Sequence, residues 1–183
     1  MSDKFFFKGR KDARQTTLTY GYERNASRIA GSKKYPLKLF VVGPPPTNSE
    51  IQLIKKHKLN DYIKFKGTES DESLCKLYTN CMAFLYPSLY EGFGYPLIES
   101  MSKGAIPIAC KTSCIPEVLD QAGILVEPNC FRLIENAVYR IIEDKSFRKK
   151  LELCSIKRSK EFCLKKNIRS TLTVYKKVVS NEA

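Results

Sequence analysis

Two glutamates, Glu91 and Glu99, stand eight positions apart in the stretch PSLYEGFGYPLIESMSKG (87–104), with Gly92, Gly94 and Pro96 between them. On one continuous helix the pair would lie about 12 Å apart along the axis and roughly 80° apart around it, too far to share a reacting atom. The two glycines and the proline disfavour that helix, and proline is best tolerated in a first helical turn. The spacing therefore predicts Glu91 in a loop and Glu99 near the first turn of the helix that follows. Helical side chains lean toward the N-terminus, which lets Glu99 reach back over the loop while Gly92–Gly94 allow backbone amides to approach a ligand. Two carboxylates then face one pocket from different elements. A carboxylate accepts two hydroxyl hydrogen bonds, which suits a ribose diol or sugar hydroxyls, and unpaired amides at a helix start suit a phosphate. A glycosidase acid/base pair also uses two carboxylates, but it needs neither cationic loops nor a phosphate-ready helix end, and it ranks below a nucleotide-sugar site. For an isolated pair of glutamates at this spacing, the default is a surface carboxylate beside a turn.

Such a loop has to be positioned by a scaffold, and the rest of the chain supplies one. Apolar, β-rich runs occur at 4–9, 37–43, 62–67, 82–88, 105–110 and 123–127, and they predict about six strands. Helix-length segments lie between them at roughly 14–30, 49–58, 71–80, 96–103 and 115–121, with a helical tail from about 130 onward. Strands apolar on both faces and joined by helical crossovers imply an α/β fold, a Rossmann-like parallel sheet covered by helices on both faces. Local punctuation agrees. Asn48 or Ser49 can cap the helix after PPPTNSE, Ser70 can cap the one after GTES, and Gly104 behind Lys103 reads as a helix stop. Ligands of such sheets bind beyond the carboxyl ends of the strands, so the loops GRKDARQ, GTES and SLYEGFGYP are the places where chemistry is expected.

Composition narrows the classes further. The 183 residues suffice for one domain with a real core, with 43% hydrophobic and 28% charged residues in the globular range. No segment has the apolar length of a membrane span or a signal-peptide core, so a cytoplasmic chain is expected. Seven cysteines without a C-x-x-C pair, and a single histidine, His57, argue against a zinc site or a disulfide framework. The cysteines read as buried small residues and His57 as a solvated helix-end residue. The net charge of +13 is concentrated at the ends, with +7 over residues 1–40 and +8 over 144–183 against −2 between them. That distribution suits a polyanion, either nucleotide phosphates, an anionic membrane surface or nucleic acid. A helix-turn-helix or an RNA-binding aromatic motif is not recognisable, and no nucleic-acid partner is expected.

The segment 87–104 resembles the E-x7-E signature of the family 4 retaining glycosyltransferases, enzymes of two Rossmann-like domains in the B-type architecture. KFFFKGRKDARQ is similar to the opening strand and phosphate loop of their donor domain. LKLFVVG, IKFKGTESDESLCKLYTNCMAFLYPS, IPIACKTSCIPEVLDQAGILVEP and RSKEFCLKKN follow in the family's order, so the resemblance covers nearly the whole chain. It implies that Glu99 binds the ribose hydroxyls, that Glu91 contacts the transferred sugar, and that the amides of Gly92, Phe93 and Gly94 sit beside sugar and diphosphate. Gly9, Arg10 and Arg14 would form the phosphate loop, with Arg10 on the departing phosphates, and Gly67, Thr68 and Glu69 would line the base. No metal and no other cofactor are implied, because cationic side chains and helix dipoles neutralise the diphosphate. The donor would be a nucleoside-diphosphate sugar of the GDP-mannose or UDP-glucose class, used for glycan, glycolipid or polysaccharide synthesis.

Two departures qualify the resemblance. Gln15 stands where the family places a phosphate-binding lysine, and loss of one charged hydrogen bond from a transition state costs roughly one to two orders of magnitude in rate. The chain also opens on the strand that begins the donor domain. Residues 1–183 are therefore expected to form a single nucleotide-sugar-binding domain, whose acceptor-binding partner domain is supplied in cis or as a separate subunit. The C-terminal segment RSTLTVYKKVVS would run back toward that partner. Binding without efficient transfer is the expectation for these residues alone, with a noncatalytic nucleotide-sugar-binding or partner-docking module as the alternative. The basic ends would hold the full enzyme peripherally at an anionic membrane. Glu117, in IPEV, is either a support of the donor pocket or a helix-start carboxylate that stabilises the dipole.

Overall fold

The computed structural model describes residues 4–8, 35 and 37–181. Within them, β1 (Lys4–Lys8), β2 (Lys38–Val42), β3 (Ile63–Gly67), β4 (Ala83–Tyr86), β5 (Ile106–Cys110) and β6 (Ile124–Val126) form one six-stranded sheet in the order β3-β2-β1-β4-β5-β6. Every neighbouring pair is parallel. The helices are α1 (Asn48–Lys56), α2 (Asp71–Asn80), α3 (Tyr95–Ser102), α4 (Ile115–Leu119), α5 (Phe131–Glu143), α6 (Lys145–Ser159) and, after a 3-10 turn at Lys160–Phe162, α7 (Leu164–Asn181). The α/β, parallel-sheet expectation holds. The helix expected over 14–30 lies outside the described residues.

Side-chain alternation along the central strands builds two separate cores. Ala83 and Leu85 of β4 join Leu39, Val41, Ile106 and Ile108 on one face, where Ile54 of α1, Ile134, Val138 and Ile141 of α5 and Leu151 of α6 cover them. Phe84 and Tyr86 point the other way, into a cluster with Tyr78 of α2, Leu97 and Met101 of α3 and Ile115, Val118 and Leu119 of α4. A strand buried on both faces cannot show polar alternation, which is why β4 and β5 read as continuous apolar runs and are buried at every position. In β2, Leu39 and Val41 face the first core while Phe40 and Val42 face the second, and the register shift against β3 between Val41 and Val42 leaves Lys66 as the extra residue on β3, as in a bulge.

Some local expectations need correction. Thr47, rather than Asn48 or Ser49, caps α1: its hydroxyl accepts from the Glu50 amide, and Glu50 accepts from the Thr47 amide at 2.6 Å. The reciprocal bond to a glutamate three residues on outweighs the cap that either neighbour offers. The C-terminal tail is helical from Phe131 onward as expected, and it divides into three helices because Asp144 leaves helical geometry to cap α6 through the Phe147 amide and Cys163 is extended before α7. Of the cysteines only Cys110 is fully buried, and Cys163 is exposed. Ser70 caps α2 as expected, accepting from the Ser73 amide at 3.2 Å. Gly104, at φ +77°, donates to Met101 O after α3, and His57 sits exposed at the end of α1. Among the described residues no helix is long and apolar enough to cross a membrane.

Candidate functional site

The chain builds β1, β2 and β3 outward in one direction, then crosses back to place β4 on the other side of β1. The strand order reverses between β1 and β4, and such a reversal leaves a crevice beyond the carboxyl ends of the two strands. The loop that leaves β4 at this crevice is Pro87–Gly94.

That loop is fastened to the one leaving the neighbouring strand, β5. The Thr112 hydroxyl donates to Ser88 O at 3.0 Å, the Glu91 amide donates to Ser113 Oγ at 3.0 Å, and the Cys114 thiol donates to Glu91 O at 3.3 Å. Three consecutive residues of one loop thus grip the other, and two of them, Ser113 and Cys114, hold both backbone groups of Glu91. Sequence reasoning missed this clamp, and only the parallel pairing of β4 with β5 brings the two segments together. Ser113 does so from a left-handed backbone at φ +43°, a conformation that costs a residue with a Cβ about 1–2 kcal/mol.

Glu91 is 2% exposed. A carboxylate at that depth is uncommon and costly, and such groups concentrate at functional sites. Gly92 and Phe93 on either side of the turn are exposed, while Gly94 is buried. Gly94 enters α3 in the left-handed region at φ +83°, and a Cβ there would lie 3.2 Å from Leu97 Cδ1. A Cβ on Gly92 would meet nothing within 4 Å, so space beside that backbone is open. The loop is thus tight on its helix side and accessible on the other.

Glu99 is the fifth residue of α3, just past the first turn and so near it as expected, and it is exposed. Its Oε2 accepts from the Tyr78 hydroxyl of α2 at 3.2 Å. Tyr78 is 2% exposed and packs edge-on against Phe84. Burial first, then the charge of Glu99, push its phenol far above the usual range, so Tyr78 remains a donor to the carboxylate. Its place on the apolar side of α2 marks it in the sequence only as a core residue.

Gly67, Thr68 and Glu69 lie at the carboxyl end of β3, with Gly67 in the left-handed region at φ +67° and its carbonyl accepting from the Gly43 amide at 3.0 Å. β3 stands three strand positions from β4, or about 14 Å at the spacing of a sheet. The structure therefore places Gly67–Glu69 on the same edge of the sheet as Glu91 without bringing them into contact. Gly9, Arg10 and Arg14 lie outside the described residues. The Phe93 ring turns toward Tyr95 and Phe162, with ring centroids 5.0 and 6.0 Å away. Glu117 is exposed in the first turn of α4 and touches the rest of the fold through its carbonyl, which accepts from Arg158 at 2.6 Å. Among the described residues no three His, Cys, Asp or Glu side chains group as metal ligands would.

This arrangement has relatives. Residues 23–158 match the family described as glycosyl transferases group 1. The O-antigen chain mannosyltransferase B of Escherichia coli is 32% identical over 126 residues, 68% of this chain and 33% of that protein. The serotype-specific mannosyltransferase WbdA, also from Escherichia coli, is 28% identical over 132 residues, 71% of this chain and 16% of that protein. The chain therefore spans about a third or less of these two relatives. A glycosyltransferase of Rickettsia africae superposes with a TM-score of 0.81 at 22% identity, over 98% of this chain and 48% of that one. HepE of Anabaena, in complex with UDP and glucose, gives 0.79 at 18% identity over 94% and 48%. The C-terminal domain of the group 1 protein LpcC from Francisella tularensis gives 0.71 at 23% identity over 87% and 84%. With the family matched over most of its length and the parallel sheet reversing its strand order between β1 and β4, this chain belongs to the group 1 glycosyltransferases, in the C-terminal domain of the B-type fold.

Proposed function

We propose that the chain binds a nucleoside-diphosphate sugar and presents it for retaining, metal-independent transfer of a hexose in glycan, glycolipid or polysaccharide synthesis. The observation that carries this reading is the clamped loop of Glu91, a buried carboxylate followed by an accessible Gly92 and the N-terminus of α3. Glu99 accepts from the ribose diol, with its carboxylate oriented by Tyr78, and Glu91 contacts the transferred sugar. The amides of Gly92, Phe93 and Gly94 and the positive end of α3 stand beside the diphosphate, with Arg10 and Arg14 of the Gly9 loop adding charge. Gly67–Glu69 line the base. The acceptor hydroxyl oxygen bonds to the anomeric carbon on the face from which the diphosphate oxygen leaves with its electron pair, and the hydroxyl proton passes to that departing oxygen. GDP-mannose is the first donor to test, since the two Escherichia coli relatives are named as mannosyltransferases.

The acceptor side comes from a second domain in this reading, in cis or as a separate subunit. Seven large apolar residues of α7 are 50% or more exposed, from Leu164 at 73% to Val179 at 69%. Solved relatives that contain nearly all of this chain are about twice its length. Five cations and no acidic residue on α7 also suit a peripheral contact with an anionic membrane on the cytoplasmic side.

The test is calorimetric titration of the chain with GDP-mannose and UDP-glucose, with Glu99→Ala beside it. Micromolar binding of one donor that falls at least tenfold in the variant is expected. Equal binding by both proteins would remove Glu99 from the site, and absence of binding to any nucleotide sugar would favour a partner-docking module instead.

A further inference from the structure

The segment RSKEF (158–162) follows the family's order without a role in the donor site, and the fold gives it one. Arg158, near the end of α6, donates through Nε to Val118 O at 3.1 Å and through Nη2 to Glu117 O at 2.6 Å. These are carbonyls of the five-residue helix α4, whose C-terminal end has few partners of its own. The same guanidinium pairs with Glu161 and lies 4.9 Å from the centroid of the Phe162 ring. Phe162 in turn meets Phe93 of the donor loop edge to face, at 6.0 Å and 80°. Phe93 also contacts Tyr95 at the start of α3. A continuous line of contacts thus runs from the end of α4, through one arginine and one ring, to the tip of the glycine loop.

We propose that Arg158 and Phe162 are positioning residues for the donor loop, and that they link its order to the base of the C-terminal arm. Arg158 fixes Phe162 from behind. Phe162 then supports Phe93, so that the Gly92–Gly94 backbone keeps one course although glycines flank it on both sides. The clamp from Thr112–Cys114 ends at Glu91, and beyond it the Phe93 ring meets Tyr95 of its own segment and, from the C-terminal end of the fold, Phe162. Since α7 begins two residues after Phe162, a partner that repositions α7 shifts this support, which makes donor-loop order sensitive to the arm. The consequence for donor affinity rests on the nucleotide-sugar reading, whereas the consequence for loop order does not.

The experiment compares wild type, Phe162→Ala, Phe162→Tyr and Arg158→Lys in the full chain by residue-resolved hydrogen exchange, thermal unfolding and calorimetry with GDP-mannose and UDP-glucose. In Phe162→Ala, exchange at the Glu91 and Leu97 amides, which flank the loop and donate to Ser113 Oγ and Gly94 O, is expected to speed up about tenfold, with β4 and β5 amides unchanged and donor affinity about five- to tenfold weaker. Phe162→Tyr keeps the ring and restores both readouts. Arg158→Lys, which cannot serve two carbonyls and a ring at once, falls between. Accelerated loop exchange in a protein that binds no nucleotide sugar would support the positioning role and overturn the donor reading. Donor binding with loop exchange and affinity indifferent to residues 158 and 162 would overturn the positioning role, as would a uniform loss of protection throughout the sheet.

Discussion

The Tyr78 hydroxyl donates to Glu99 Oε2 at 3.2 Å, from one surface helix to the next. This bond ties the Glu99 carboxylate, on an exposed face of α3, to the buried ring of Tyr78. Tyr78→Phe keeps the ring in its core against Phe84 and removes only the donor. A folding cost of about 1 kcal/mol is expected, in the usual range for one hydrogen bond, together with donor binding weakened several-fold. Urea unfolding and calorimetry read the two effects separately, and unchanged donor affinity would show that Glu99 needs no help from Tyr78.

Ser113 holds the Glu91 amide from a left-handed backbone. Ser113→Ala loses the acceptor and keeps the backbone cost, so it is expected to destabilise by about 0.5–1.5 kcal/mol. Ser113→Gly also loses the acceptor but relieves roughly 1 kcal/mol of conformational cost, which brings it near neutral. Both variants are expected to bind donor more weakly than wild type. Denaturation midpoints that place Gly below Ala would contradict this account.

The two glycines of the loop are expected to separate stability from binding. Gly94→Ala meets both the left-handed φ and the 3.2 Å approach of Leu97 Cδ1, and it should cost about 1–2 kcal/mol. Gly92→Ala meets no atom within 4 Å, and its stability should stay within about 0.5 kcal/mol of wild type. Its methyl group nevertheless projects into the open side of the loop, so donor affinity should fall. Thermal melts with and without GDP-mannose distinguish the two.

Stability should decline on the alkaline side. Burial pushes the Cys110 thiol up to about 11, with the Glu127 charge adding to the effect, and burial pushes Cys81 up to about 12. Tyr78 is raised as well. Each group keeps its proton longer in the folded chain, so the unfolded chain releases protons first as pH rises. The folded state is then penalised from roughly pH 9 upward, by at most about 1.4 kcal/mol per pH unit for each thiol, until pH passes the folded value. Urea midpoints that are flat to pH 8.5 and fall beyond pH 9, with a shallower fall in Cys81→Ala/Cys110→Ala, are expected. A midpoint that rises over that range would reverse the sign argued here.

Removal of α7 should leave the remaining fold intact. Every residue from 163 to 180 is exposed, and no apolar residue of α7 belongs to either core. Truncation after Cys163 is expected to shift the thermal transition by less than about 2 °C. Association with an acceptor-binding domain should be lost with the helix, measurable by co-purification of the two halves.

The sequence by itself determined the alternation of strands and helices, the helix stop at Gly104 and the loop between Glu91 and α3. These depend on periodicity and on residues such as Gly94 and Pro96, whose backbone preferences act within a few positions. Where the sequence reading slipped it slipped locally, at Thr47, because neighbouring polar residues compete for the same cap and only the final geometry selects one. Tertiary structure alone decided what surrounds the site. Glu91 is held by residues 22 and 23 positions away, Glu99 by one 21 away, and Arg158 reaches carbonyls 40 and 41 positions back. Contacts of that kind follow from which strands lie side by side, and the order β3-β2-β1-β4-β5-β6 is fixed by burying two apolar faces at once, a condition on the whole chain that no single segment carries.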